Sequence, residues 1–302
     1  MTSNPLIIHH SDADGICAAL VLWLAHNQEA DLVAANYDES PPPEDSLIDR
    51  VVYVVDFSYP RDVLESIDSL AQSLMVLDHH ESAKQNCKGL PFAEFDMSRS
   101  GARMAFDFAL QNLNVNWDSN LTGKLDLLTQ YVQDHDIWTK KLEYTDEVHA
   151  CLDSFPLTLE AWFGLLQAFP HLSVGVSPDS SLVKEGKAIL RSQGRMIEKL
   201  YQNHRKATFA PKGEGSKVLT VAVVNSPVLT SDLGHSLVEG EDVDFACIYN
   251  VNGEGKFTYS LRSNSSRCDV AKVAEQFGGG GHQAASGFSS WFDPSAIFEW
   301  EK

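Results

Sequence analysis

The chain has 302 residues, 43% of them hydrophobic and 22% charged, with 23 basic side chains against 42 acidic ones and a formal net charge of −19. At roughly 150 residues per domain the length points to two domains, and a chain of this size and composition buries a core unaided, which excludes extensive disorder. So acidic a surface repels a long duplex at a distance, which excludes nonspecific binding of long nucleic acid but admits a small anionic ligand held locally.

In chain order, Met1–Pro5 shows neither the basic start nor the apolar core of a secretory signal. Leu6–His9 reads as a buried strand and Ile16–His26 as a helix. The longest apolar run, Ile16–Ala25, is far short of the ~20 residues that cross a bilayer. A soluble, cytoplasmic protein with no membrane partner is therefore expected. Asp31–Asn36 and Val51–Asp56 read as strands with Pro41–Pro43 between them, Arg61–Leu74 as helical, and Leu74–Asp78 as a further strand. Unbroken apolar strands alternating with helices predict a parallel sheet covered on both faces, whose ligands sit beyond the carboxyl ends of the strands.

Helical spacing then dominates Gly101–Asn112, Leu121–Val132, Leu157–Ala168 and Leu182–Arg205, with a loop expected at Pro170 and Ser173–Ser181. Strands return at Val218–Val224, Phe245–Val251 and Phe257–Arg262, after a polar loop at Pro211–Lys217. Trp23, Phe106, Trp162 and Phe163 are expected in the core. Trp291, Phe292, Phe298 and Trp300 are expected to pack on the second domain. The basic stretch from Lys184 to Lys206 is expected to be a solvated helix face. Five scattered cysteines (Cys17, Cys87, Cys151, Cys247 and Cys268) form no C-x-x-C pair, which argues for reduced thiols over a disulfide framework or a structural zinc site.

Acids and histidines gather at strand or helix ends in four places: His9-His10-Ser11-Asp12-Ala13-Asp14-Gly15, then Asp56, then Asp78-His79-His80, then Asp134-His135-Asp136. Taken singly, Asp12 and Asp56 read as well as helix caps. Together, three strands of one sheet deliver an acid to the same edge, with imidazoles beside two of them. Carboxylate and imidazole without thiolate suit Mn²⁺, Mg²⁺, Co²⁺ or Fe²⁺, and so many candidates exceed the needs of one ion. No G-x-x-x-x-G-K-[ST] or G-x-G-x-x-G occurs, which excludes P-loop NTPase and Rossmann dehydrogenase readings.

These residues resemble the motifs of the DHH phosphoesterase superfamily, which includes RecJ-like exonucleases, nanoRNases, cyclic-dinucleotide phosphodiesterases and family II inorganic pyrophosphatases. HSDADG at positions 10–15 resembles the first motif, Asp56 the second, Asp78-His79-His80 the third and Asp134 the fourth. Ser100-Gly101-Ala102 resembles a segment common after the third motif. Gly278-Gly279-Gly280-Gly281-His282 resembles the signature of the DHHA1 domain.

The resemblance implies an α/β chain. Residues 1–185 would be the catalytic parallel-sheet domain with helices on both faces, 186–207 a helical linker, and 208–302 a smaller α/β DHHA1 substrate-binding domain. It implies two divalent ions, Mn²⁺ before Co²⁺ or Mg²⁺, on His10, Asp12, Asp14, Asp56, His79 and Asp134. His9 and Asp136 stand as alternatives to His10 and Asp134, and either Asp14 or Asp56 bridges the ions. Asp78 and His80 would be catalytic, with His80 near the scissile phosphate. Arg262, Gly279, Gly280, Gly281 and His282 would hold the nucleotide through a nest of N–H groups and the start of a following helix, with Ser100 and Arg99 as further candidates.

The expected reaction is hydrolysis of short oligoribonucleotides or of linear or cyclic dinucleotides to mononucleotides. Phosphoanhydride or phosphomonoester hydrolysis is the alternative, and a non-catalytic nucleotide sensor the second class. The partner is a small nucleotide or very short RNA, not long duplex nucleic acid, and the chain is a monomer or homodimer.

Overall fold

A computed structural model of the chain describes residues 4–36, 39–168, 176–212, 217–264 and 266–301. The loop expected around Pro170 and Ser173 lies outside these residues, as does most of the one expected over Pro211–Lys217. The chain divides into two compact units, Met1–Leu190 and Arg191–Lys302.

In the first unit, β1 (Leu6–His10), β2 (Asp31–Ala35), β3 (Val51–Val55), β4 (Ser73–Asp78) and β5 (Ala93–Phe95) form a parallel sheet in the order β2-β1-β3-β4-β5. The helices are α1 (Ala13–Ala25), α2 (Arg61–Leu70), α3 (Lys84–Cys87), α4 (Gly101–Asn112), α5 (Ser119–Asp136), α6 (Thr145–Asp153) and α7 (Leu159–Ala168). A long helix, α8 (Ser181–Tyr201), runs from the first unit into the second.

Successive strand residues face opposite sides. Leu6, Ile8, Val52, Val54, Leu74 and Val76 pack with Leu64 and Ile67 of α2 and Cys87 of α3. Ile7, Tyr53, Val55 and Leu77 pack with α1, α4, α5 and α7. Helix α1 is buried along nearly its whole length, because α4, α5 and α7 cover the side turned away from the sheet. A helix apolar all round is stable only in such a sandwich, and the sandwich fixes its N-terminal end at the carboxyl edge of the sheet.

The boundaries differ from the sequence expectations where caps and turns act. Helix α1 begins at Ala13, ahead of Ile16, because Asp12 is its N-cap and accepts the Gly15 N–H. Helix α2 ends at Leu70, and of the residues expected to continue it Ser73 and Leu74 open β4 instead. Helix α5 runs on to Asp136, which puts Asp134 and Asp136 in its last turn. Helix α8 stops at Tyr201, and Arg205, expected in it, begins a strand.

The second unit holds β6 (Arg205–Phe209), β7 (Leu219–Asn225), β8 (Phe245–Val251), β9 (Phe257–Arg262), β10 (Gly280–Gly281), β11 (Ala285–Ser290) and β12 (Glu299–Trp300), in the order β10-β11-β9-β8-β7-β6-β12. Its pairs are antiparallel except β7–β8, which are parallel and joined through α9 (Thr230–Gly240). Two short helices, α10 (Val270–Glu275) and α11 (Pro294–Ile297), complete it. A strand, β11, follows His282 where a helix was expected. The aromatic tail divides: Phe298 is buried, whereas Trp291 and Phe292 are 67% and 64% exposed, not packed as expected. All five cysteines are free thiols. Among the described residues, no helix is long and apolar enough to cross a membrane.

Candidate metal centre

Five segments of the first unit converge beyond the carboxyl ends of β1, β3 and β4. Strand β1 ends in His10, whose Nδ1 lies 2.7 Å from Asp12 Oδ2 and 3.7 Å from Asp56 Oδ2. Alternation along β1 separates His10 from its neighbour. His9 is buried and its Nδ1 donates to the His10 carbonyl, so it does not join the cluster. Asp12 has two tasks, one oxygen capping α1 and the other facing His10.

Asp14, in the first turn of α1, is buried and accepts the N–H groups of Gly101 and Ala102 at 2.6 and 2.9 Å. The first peptide N–H groups of a helix have no partner within it. Here α4 spends two of them on a carboxylate of another helix, which holds Asp14 rigid.

Asp56 follows β3 with φ of +64°, a left-handed conformation that Asp tolerates better than most residues. It does not cap α2, whose N-cap is Pro60. Its Oδ1 lies 3.0 Å from His79 Nε2, while its Oδ2 is buried with no hydrogen-bond partner. Gly101 makes this approach possible, since a Cβ there would stand 2.5 Å from Asp56 Cβ.

His79 Nε2 lies 3.0 Å from Asp56, 3.4 Å from Asp136 and 3.6 Å from Asp14, so three carboxylates face one nitrogen. Such a gathering strains the charged forms. Burial, then the charges of Asp14, Asp12 and Asp136, push Asp56 well above the ordinary carboxylate range. Asp136 is raised as well, by the desolvation of its carboxylate among the facing side chains and then by the charges of Asp14 and Asp12.

Asp78 takes a different part. Fully buried, it accepts from the His79 N–H, the His80 N–H and His80 Nδ1 on one oxygen, and from the Ser58 hydroxyl on the other. Four donors hold its charge despite burial and keep its pKa below the usual value. It orients the two histidines and assigns the Nδ1 proton of His80. Ser58, itself touched by the Cys87 thiol, was not singled out in the sequence; its only signal there is a hydroxyl two residues after Asp56.

Asp134 does not reach the cluster, which corrects its expected role as a ligand. Its carboxylate accepts from the Thr139 and Thr145 hydroxyls and from the Lys141 and Leu142 N–H groups. Burial opposes its charge, but these donors prevail and hold its pKa at about 2. Asp136, two residues on, supplies the acid. Ser100 and Arg99 are likewise committed elsewhere. Ser100 is the buried N-cap of α4, and Arg99 is ringed by Glu94, Asp96 and Asp107.

Ligand atoms of three sets lie within 4.8 Å of one another: His10, Asp12 and Asp56; Asp56, His79 and His80; Asp14, His79 and Asp136. Asp56 and His79 each belong to two sets. An orphaned carboxylate oxygen inside a ring of oxygen and imidazole donors suits hard to borderline divalent cations, so these residues fit the ions that the sequence implies.

In the second unit the glycine run is a hairpin rather than an open nest. The N–H groups of Gly278, Gly279 and His282 donate to the carbonyls of Glu275, Ala274 and Ala285. A Cβ on Gly279 would lie 2.1 Å from the Gly287 carbonyl oxygen, so close backbone packing explains that residue. Gly280 and Gly281 pair with Gly287 and Ser286 of β11. Arg262 ends β9 and donates to Ser231 in the first turn of α9 and to the Leu261 carbonyl. No carboxylate among the described residues forms an ion pair with it, and burial pushes its guanidinium pKa down against the charge of Asp232.

Residues 4–129 match the DHH family, N-terminal domain. An uncharacterized protein of Acanthamoeba polyphaga mimivirus is 26% identical over 94% of this chain, which spans 66% of that relative's length. Among solved structures, an exopolyphosphatase-related protein from Bacteroides fragilis aligns with a TM-score of 0.56 at 16% identity, covering 97% of this chain and 89% of that one. RecJ from Thermus thermophilus, in complex with Mn²⁺, aligns with a TM-score of 0.52 at 16% identity, covering 98% of this chain and 50% of that one. At these identities the likeness shows the fold.

Proposed function

We propose, from the match of residues 4–129 to the N-terminal domain of the DHH family, that the chain is a phosphoesterase dependent on two divalent ions, and that it hydrolyses phosphodiester bonds in short oligoribonucleotides or dinucleotides. The observation that carries this reading is the ring of acids and imidazoles around the orphaned Asp56 oxygen. One ion would be held by His10, Asp12 and Asp56 and the other by Asp14, His79 and Asp136, and Asp56 would stand between them, since it shares a further set with His79. Divalent ions held there would lower the pKa of water toward neutrality and neutralise charge on phosphoryl oxygens. Mn²⁺ heads the candidates on donor chemistry, and RecJ of the same fold was crystallised with it.

The chain's own residues supply orientation. The Gly101 and Ala102 N–H groups keep Asp14 in place. Asp78, braced by Ser58, fixes the Nδ1 proton of His80, so Nε2 is the atom that handles a proton or hydrogen bond at the phosphoryl group. In the second unit Arg262 is the residue suited to a terminal phosphate, being a half-buried guanidinium without a carboxylate counter-charge among the described residues.

Phosphoanhydride hydrolysis is the second reading, favoured by the fold shared with the exopolyphosphatase-related protein. Product analysis with Mn²⁺ separates the two. 5′-labelled RNAs of two to about ten nucleotides and a dinucleotide are run beside pyrophosphate, polyphosphate and 3′-phosphoadenosine 5′-phosphate. Mononucleotide release that falls steeply with length is expected. Orthophosphate from the inorganic substrates alone would transfer the assignment to the anhydride reading.

A further inference from the structure

We propose that helix α8 carries a docking strip for the phosphate backbone of a single-stranded oligonucleotide, formed by Arg191, Arg195 and Lys199. All three lie in the second unit. The choice of nucleic acid among polyanions rests on the phosphodiesterase reading above, whereas the strip itself does not.

The stretch from Lys184 to Lys206 holds seven lysines and arginines, and the fold sorts them. Lys184 pairs with Asp179 at 3.1 Å, and Lys187 Nζ stands 5.1 Å from the centre of the Tyr144 ring. At the other end Arg205 lies over the Trp300 ring at 4.3 Å, and Lys206 pairs with Glu241 at 3.0 Å. These four act within the protein. Arg191, Arg195 and Lys199 are exposed, and among the described residues the side chain of none of them meets a carboxylate, a hydrogen-bond acceptor or an aromatic ring. In a chain with 42 acidic side chains against 23 basic ones, three neighbouring cations thus keep their charge free to act on a ligand.

At 3.6 residues per turn, a step of four residues turns about 40° and rises about 6 Å, so the three cations form a strip along one side of α8. The opposite side fixes how that strip points. Ile197, Leu200 and Tyr201 pack on the apolar cluster that holds Ala222, Val224, Leu233, Leu237 and Ile248, and the Tyr201 hydroxyl donates to Glu241 at 2.7 Å. This part of the helix therefore cannot roll, and the cations stay in solvent. Ser192 and Gly194, exposed on either flank, are too short to shield them, and the space beside Gly194 is open. Glu198, three residues after Arg195, is the one acid of α8 on this side of the strip.

Cations repeating every ~6 Å along a line suit a flexible ligand whose anionic groups repeat along a line as well, as the phosphates of a single strand do. Two of the three are arginines, whose fork binds a phosphate through paired hydrogen bonds. A duplex fits worse, because it brings one charge per about 1.7 Å of axis against a chain of net charge −19. A lipid surface also fits worse. A helix that lies on lipid sinks an apolar face into it, and the apolar face of this part of α8 is already packed on its own sheet. Contacts to phosphates alone leave the bases free to vary.

The test uses the full chain with EDTA and follows the anisotropy of a 5′-labelled oligouridylate of about ten residues between about 50 and 200 mM salt. The wild type is expected to bind with a log–log salt slope near −2, at roughly 0.7 for each of three neutralised phosphates. Replacing all three residues (Arg191→Gln, Arg195→Gln, Lys199→Gln) is expected to weaken binding about ten-fold or more at the lowest salt and to bring the slope close to zero. The melting temperature should hold, since the positions are exposed and glutamine is about as good a helix former. Arg191→Lys with Arg195→Lys is expected to keep most of the affinity, and Glu198→Gln to raise it. No wild-type binding, or undiminished affinity in the triple variant, would overturn the proposal. So would polyphosphate or phosphatidylserine vesicles that bind more tightly than the oligouridylate through the same three residues. The phosphodiesterase reading fails separately, by the absence of turnover with Mn²⁺ in the product analysis, because the strip is read from binding without divalent ions.

Discussion

Asp134 and Asp136 stand two residues apart at the end of one helix and do unlike work, and their variants should differ in kind. Asp134→Ala leaves two hydroxyls and two N–H groups without their acceptor and is expected to lower stability by on the order of 3 kcal/mol, as seen in denaturant titration. Asp136→Ala removes one of several crowded like charges. It is expected to leave the metal-free fold as stable or more so, and to weaken Mn²⁺ binding by more than the roughly 10–100-fold typical of an outer partner, as measured by calorimetry. Matching losses of stability in the two variants would contradict the division of roles. The sequence D-H-D did not distinguish these acids. Which one reaches the cluster depends on where α5 ends and which way the next loop turns. His9 and His10 are a milder case, because the alternation that places Ile7 and Ile8 on opposite faces also separates the two histidines.

At the level of elements, the site depends on two helix beginnings meeting at the edge of the sheet. The start of α1 carries Asp12 and Asp14, and the start of α4 donates to Asp14 while Gly101 lies against Asp56. Gly101→Ala tests this contact. In an isolated helix alanine would add about 1 kcal/mol over glycine. Here its Cβ would fall 2.5 Å from that of Asp56, so α4 and the β3 terminus must part. Mn²⁺ affinity is expected to fall roughly 10–100-fold, the scale of losing an outer partner, however much helix propensity improves. Unchanged affinity in calorimetry would mean that the approach of α4 is not what orders Asp14 and Asp56. The Ser-Gly-Ala segment was legible as a helix start, with its serine offered as a substrate contact. The structure gives Ser100 the cap and leaves Gly101 as the residue that matters to the site.

For the whole molecule, crowded acids tie stability to pH and to metal. The folded chain retains a proton on Asp56 at pH values where the unfolded chain, with an ordinary carboxyl pKa near ~4, has shed it. Stability without metal is therefore full below that ordinary value and declines as pH rises through the raised one. A divalent ion replaces the proton and removes the loss. The gain in Tm on adding Mn²⁺ is expected to be larger at pH 8 than at pH 5, with proton release visible in calorimetry across buffers of different ionisation enthalpy; equal gains at both pH values would argue against this coupling. The sequence by itself determined the parallel sheet, the order of most elements and the edge at which ligands gather, because apolar periodicity and strand-end acids are local properties of the chain. Only the tertiary structure decided that Asp136 rather than Asp134 joins the cluster of acids and histidines, that Asp78 accepts from Ser58, His79 and His80, and that the glycine run is a hairpin. Each of those depends on which hydrogen-bond donors a carboxylate or peptide group meets from segments distant in sequence, and residue spacing carries no record of that.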